Sequence, residues 1–133
     1  MIATGAIERP LIFSNNDRPG IILSSSIKKY IDYYGVKTGE NISLFTNNDS
    51  AYETAISLNK SGVKVKVIID IRENSKSIIS DQAEKAGIKI LRGHTITNTD
   101  GYKRIKSIDV MKLSKDGGSI VGNKVTYLSL IHI

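Results

Sequence analysis

The sequence predicts an α/β fold: a Rossmann-like three-layer domain with a parallel sheet, joined to an antiparallel β-meander. Three observations carry this. Apolar runs of strand length at Ile42–Phe45, Val63–Ile71 and Ile88–Leu91 alternate with amphipathic helix patterns, and such alternation calls for right-handed crossovers into a parallel sheet. The segment Ile42 to Tyr52 stands where a dinucleotide-binding fold carries its glycine turn, and Asp70 ends the next strand, about 20 residues on, where that fold places a ribose-binding acid. After Gly93 the periodicity drops to two, with turn signals at Asp100-Gly101 and Asp116-Gly117-Gly118.

The elements follow in order. Leu23, Ile27, Tyr30, Ile31 and Tyr34 form one apolar stripe of a helix that begins after Pro19-Gly20 and stops at Gly35. Ile42–Phe45 is a short strand, and Ser50 with Glu53 has the spacing of a capping box that starts the next helix. Ala51, Ala55 and Leu58 supply its inner face, and Gly62 closes it. Val63–Ile71 alternates little, as a strand buried on both faces does. Asn74 or Ser75 caps a third helix carrying Ile79, Ala83 and Ala86, and Ile88–Leu91 is the next strand. Thr95–Thr97, Ile105–Leu113 and Val121–Tyr127 make the meander.

Composition removes several function classes. The chain has 133 residues, 40% of them hydrophobic and 24% charged, which suits one globular unit with one core. It has no Cys and two His, so it offers no disulfide, thiolate or closed zinc site, and no metal ligand set is assigned. No apolar run approaches the roughly 18 residues of a membrane span, and the first residues lack the basic region of a signal peptide. The expected location is cytoplasmic, with no membrane partner. The net charge of +6 comes from dispersed lysines without interleaved aromatics, so no nucleic-acid partner is expected.

Candidate site residues come from the same frame. Thr46, Asn48 and Ala51 occupy the three glycine positions of the G-x-G-x-x-G pattern. The first two positions need glycine for the tight turn and for close approach to a pyrophosphate, whereas the third tolerates Ala. Asp49 puts a negative charge at the same helix start. Thr46, Asn48 and Asp70 therefore make a degenerate cofactor site, with Arg72 placed to accept a 2′-phosphate if the site works. Thr4 and Gly5 are a second candidate, a strand end able to bring its backbone against a cofactor held by a preceding domain. Glu8 and Arg9 form a local ion pair or fix the chain crossing before Pro10. His94 is expected to be a packing or surface residue, and no catalytic residue is assigned.

Two groups of residues carry a resemblance. Ala3-Thr4-Gly5-Ala6 with Glu8-Arg9-Pro10 resembles the strand end with which the first dinucleotide domain of two-domain flavoprotein reductases hands the chain to the second. Phe13-Ser14-Asn15-Asn16-Asp17-Arg18-Pro19-Gly20, then Tyr34-Gly35-Val36 and Phe45-Thr46-Asn47-Asn48-Asp49-Ser50-Ala51-Tyr52, resemble more narrowly the alpha-subunit family of heterotetrameric sarcosine oxidase. The resemblance covers about residues 1 to 127 and implies a piece of a longer subunit.

In that family sarcosine is oxidised at a flavin on the beta subunit and its methylene group passes to tetrahydrofolate. The resemblance thus implies an enzyme complex, with other subunits of a hetero-oligomeric oxidase as partners. It implies NAD or FAD held by a domain before this segment and none tightly bound here. Residues 1–12 would end a first dinucleotide-binding domain, and 13–127 would form a second, degenerate one. Residues 128–133, Leu-Ser-Leu-Ile-His-Ile, depart from the family pattern and resemble translated adapter read-through. They are expected to be a non-native tail that packs poorly, with a short terminal strand as the alternative. Apolar surface at Leu11, Ile12 and Phe13 is expected to be partly uncovered as well. The other readings are a non-catalytic nucleotide-fold interaction module, or a subunit of an opine or amino-acid dehydrogenase.

Overall fold

The computed structural model describes residues 4, 5, 7–128 and 130–132. The chain runs β1 (Ile21–Ile22), α1 (Ser24–Asp32), β2 (Asn41–Thr46), α2 (Ser50–Lys60), β3 (Lys64–Asp70), α3 (Ile78–Lys85), β4 (Lys89–Arg92), β5 (His94–Asp100), β6 (Ser107–Leu113), β7 (Ile120–Leu128) and β8 (Leu130–His132). Five strands form a parallel sheet in the order β1-β8-β2-β3-β4, and β5-β6-β7 form an antiparallel sheet.

The parallel sheet is the middle of three layers. Ile42, Leu44, Val65 and Ile68 pack with Ile27, Tyr52, Ala55, Leu58 and Ala83 of the helices. Phe45, Val67 and Ile69 pack with Ile96, Ile108 and Val110 of the meander. A sheet covered on both faces explains why β3 reads as a nearly unbroken apolar run. Within it the pairing skips Lys66, so that Ile42 opposes Val65 and Ser43 opposes Val67. This extra residue reverses the alternation of faces, sending Val65 to the helices and Val67 and Ile69 to the meander while Lys66 stays exposed.

Local chemistry sets the element ends. The α2 helix is closed by Gly62 at φ +77, with the Val63 amide donating to the Leu58 carbonyl at 3.0 Å. The turn after β5 requires Gly101, whose φ is +141 and where a Cβ would collide with the Arg104 carbonyl oxygen. The first Asn-Asn-Asp block is structural: Asn15, at φ +60, donates its amide to Asn98 at 2.9 Å, and its carbonyl accepts from Thr99 at 3.0 Å.

Several sequence expectations need correction. The first helix starts at Ser24, because Ile21–Ile22 pair as an edge strand instead. Tyr30 and Tyr34 are not on its buried stripe: Ile27 is inside, whereas Tyr30, Tyr33 and Tyr34 gather their rings on the outer face. Ser50 and Glu53 make no capping box. The N-cap of α2 is Asp49, and the amide and hydroxyl of Ser50 are both taken by Asn48 Oδ1 at 3.0 and 2.5 Å. The α3 helix is capped by Ser77, whose hydroxyl accepts from the Ser80 amide while Ser80 reciprocates, rather than by Asn74 or Ser75.

At the first end, Ile12 is exposed and Leu11 half-buried as expected, and Ile7 is exposed too, but Phe13 is buried against Phe45. The side-chain packing expected of residues 128–133 lies outside the described residues. The backbone of Leu130–His132 forms a strand between β1 and β2, as the alternative reading held. No helix among the described residues is long and apolar enough to cross a membrane.

Leu44 and Ile68 are fully buried at the centre of the helix-side core. Truncating either to Ala is expected to destabilise the domain by about 2–5 kcal/mol. Tyr33→Ser, at a side chain 77% exposed, is expected to change stability by no more than about 0.5 kcal/mol. Urea unfolding midpoints check this, and equal midpoints for the two classes would contradict the assigned core.

Candidate functional site

In open α/β sheets the ligand crevice lies beyond the carboxyl ends of the strands. Here β2 and β3 end side by side, with Thr46 opposite Asp70 and the Ile71 amide donating to the Thr46 carbonyl at 3.0 Å. Three of the predicted residues, Thr46, Asn48 and Asp70, are thereby brought to one strand edge.

The turn's own side chains use its donors. Thr46 Oγ1 accepts from the Asn48 amide at 3.1 Å and donates to the Asn48 carbonyl at 2.9 Å. Asn48 Oδ1 then takes the Ser50 amide. Two of the amides that a glycine turn would present to a phosphate, those of Asn48 and Ser50, are therefore already paired inside the loop. The side chains at positions 46 and 48 make these bonds, and glycine has none to offer.

Asp70 is wholly buried. Its Oδ2 accepts from the Tyr52 hydroxyl at 2.7 Å and from Arg72 Nη2 at 2.8 Å. Its Oδ1 accepts from the Arg72 amide at 2.9 Å and Arg72 Nε at 3.1 Å. The same Arg72 Nη2 reaches Asp49 Oδ1 at 2.7 Å, and Ser75 Oγ lies 3.2 Å from the Tyr52 hydroxyl. Burial pushes the Asp70 carboxyl up, but the hydrogen bonds from Arg72 and Tyr52 outweigh it and hold the group below its ordinary value. Burial pushes the Tyr52 hydroxyl up to about 12. The hydrogen bond to Asp70, against opposing burial, holds the Arg72 guanidinium more firmly protonated than usual.

A dinucleotide does not fit these residues. The ribose acid has no exposed surface, the arginine that would take a 2′-phosphate is held by two carboxylates, and two amides of the pyrophosphate turn are bonded within it. Sequence reasoning placed Asp70, Arg72 and Asp49 correctly in space but missed that they bond one another. It also missed Tyr52 and Ser75. A tyrosine on an apolar helix face requires a partner for its hydroxyl, and that was the available signal.

The other candidates lie elsewhere. Thr4 and Gly5 are exposed, and neither lines the 320 Å³ cleft between the Ile7–Leu11 segment and the β2–α2 turn. Glu8 does not pair with Arg9. It caps α1, accepting from the Ser24 hydroxyl at 2.8 Å and the Ser25 amide at 3.0 Å. Burial pushes its carboxyl up, and these bonds more than offset that to leave it below its ordinary value. His94 Nδ1 makes a local hydrogen bond to the Arg92 carbonyl oxygen at 2.6 Å. No cluster of three or more metal-ligating side chains occurs among the described residues.

The Asp70 arrangement has a pH signature. Its folded-state pKa lies below the unfolded one, so its stabilisation is fully present above the unfolded value, about 3.9. That stabilisation is lost as pH falls through the folded pKa. Thermal unfolding between pH 7 and pH 2 is expected to show a stability loss below about pH 4, with a shallower acid slope in Asp70→Asn, which lacks the titrating carboxyl. An identical acid slope in both proteins would contradict it.

No protein-family profile matches the chain. Among solved structures it resembles thioredoxin reductase of T. acidophilum, with a TM-score of 0.72 and 18% identity over 97% of this chain and 40% of that one. It also resembles an FAD-dependent pyridine nucleotide-disulphide oxidoreductase of Desulfovibrio vulgaris, with a TM-score of 0.64 and 14% identity over 94% of this chain and 32% of that one. These likenesses establish an FAD/NAD(P)-binding oxidoreductase fold. In sequence, the chain is 37% identical over 118 residues to sarcosine oxidase subunit alpha of Corynebacterium sp. strain P-1, covering 87% of this chain and 12% of the relative. It is 42% identical over 100 residues to that of strain U-96, covering 75% and 10%, and 38% identical over 110 residues to that of Rhizobium meliloti, covering 83% and 11%. The chain thus spans about a tenth of the length of these relatives, and across the matched residues it belongs to the sarcosine oxidase alpha-subunit family.

Proposed function

We propose that the chain acts as a dinucleotide-fold scaffold within the alpha subunit of a cytoplasmic sarcosine oxidase-like complex. That complex would demethylate sarcosine oxidatively to glycine and pass the methylene group to tetrahydrofolate. The observation that carries this reading is the 37–42% identity to three sarcosine oxidase alpha subunits. The chemistry would take place outside these residues, because among the described residues the acid and the guanidinium at the strand ends are bonded to one another and are not free to act on a substrate.

In this reading residues 1–12 close a preceding domain that holds NAD or FAD, and Thr4 and Gly5 form the edge of its site. Residues 13–127 are the second domain, and 128–133 stand outside the family pattern. The exposed side chains of Ile7 and Ile12 support a neighbour packed at that end, and the tyrosine face of α1 supports an assembled setting with other subunits. The paired, buried state of Asp70 and Arg72 favours a scaffold over a working dehydrogenase site in this domain.

A chimera tests the reading. Residues 13–127 replace the matching segment of the Corynebacterium strain P-1 alpha subunit, co-expressed with its partner subunits. The expected result is an assembled complex that oxidises sarcosine within about tenfold of the parent, a difference of ~1.4 kcal/mol in transition-state stabilisation. A folded chimera that assembles but has lost sarcosine oxidation would overturn the scaffold assignment.

A further inference from the structure

We propose that the ribose-acid position of this domain is internally satisfied, so that the Asp49–Arg72–Asp70–Tyr52 chain of contacts withholds the groups a dinucleotide would use and excludes NAD and NADP alike, even though a 320 Å³ cleft stays open beside the β2–α2 turn. The inference rests on the geometry of the strand ends and holds whichever reaction the full subunit performs.

The acid, the guanidinium and two of the loop amides that a dinucleotide would use have internal owners. Ribose hydroxyls require an acid, and both oxygens of Asp70 are occupied by Tyr52 and Arg72 at 2.7–3.1 Å with no exposed surface left. A 2′-phosphate requires a free guanidinium, and Arg72 bridges Asp70 and Asp49 at 2.8 and 2.7 Å. A pyrophosphate requires loop amides, and those of Asn48 and Ser50 are bonded to Thr46 and Asn48.

Charge points the same way. Two carboxylates face one guanidinium, so the group carries a net negative charge at the mouth where a nucleotide's phosphates would sit. The contacts also join elements that a bound cofactor would otherwise bridge. Asp49 caps α2, Tyr52 lies in its first turn, Asp70 ends β3, and Ser75 belongs to the loop before α3. The domain should therefore hold its shape without ligand, its stability set by Arg72 and Tyr52 instead of by nucleotide concentration.

Isothermal titration and thermal unfolding of the 133-residue chain test this with NAD and NADP as probes. The expected results are no binding heat and no rise in Tm at about 1 mM of either nucleotide, where a micromolar site would raise stability measurably. Arg72→Ala is expected to lower Tm by at least about 4 °C. Should Arg72→Ala fail to fold, Tyr52→Phe, which keeps the ring and removes only the hydroxyl, is expected to lower Tm by a smaller amount. Micromolar binding of either nucleotide would overturn the proposal, and its loss in Asp70→Ala would place the ligand on the acid assigned here to internal contacts. Unchanged Tm values in the Arg72 and Tyr52 variants would overturn the proposal too.

Discussion

The carboxylate of Asp70 is the constraint around which the strand ends are arranged. A charge with no exposed surface is tolerated only when its lone pairs are taken, and here Tyr52 and Arg72 between them supply four hydrogen bonds. The two arms of Arg72 differ in weight. Its pair with Asp49 joins side chains 34% and 44% exposed, where solvent limits a salt bridge to about 0–1 kcal/mol. Removing Arg72 from the buried Asp70 leaves an uncompensated interior charge, a loss of about 3–5 kcal/mol in comparable cases. The buried arm therefore dominates stability, while the exposed arm decides what charge an approaching anion meets.

The fold places this group through one backbone irregularity. Because the pairing of β2 with β3 skips Lys66, the residues beyond it change faces, and a strand that would otherwise present one apolar side serves both the helix layer and the meander layer. Asp70 then falls opposite Thr46 at the strand ends, within reach of α2. The sandwiched sheet keeps that edge dry enough for Tyr52 to be wholly buried.

Much of this was legible in the chain, for physical reasons. The parallel strands and the meander announce themselves through a change of hydrophobic period near Gly93, and the loss of the two glycines at 46 and 48 follows from what a Cβ obstructs at a phosphate turn. What escaped reading were choices between competing local hydrogen bonds. Ser50 had a plausible role as a cap, but Asn48 captured it first. Ser75 looked like a helix start, yet its hydroxyl is spent beside Tyr52. Tyr30 and Tyr34 fit a helical stripe, and only the position of the sheet shows that Ile27 faces it and they do not. Glu8, beside Arg9 in sequence, pairs with α1 instead. Periodicity records which residues avoid water; it does not say which of several nearby partners a polar group will take.

The central claim, that Asp70 is an internal ligand of the domain and not a ribose acid awaiting a cofactor, is tested most directly by a carbon-detected NMR titration of its side-chain carboxyl with and without NAD. The account predicts a midpoint below the ordinary aspartate value and a titration curve that NAD leaves unchanged. A midpoint at or above the ordinary value, or a carboxyl resonance that moves on adding NAD, would contradict it.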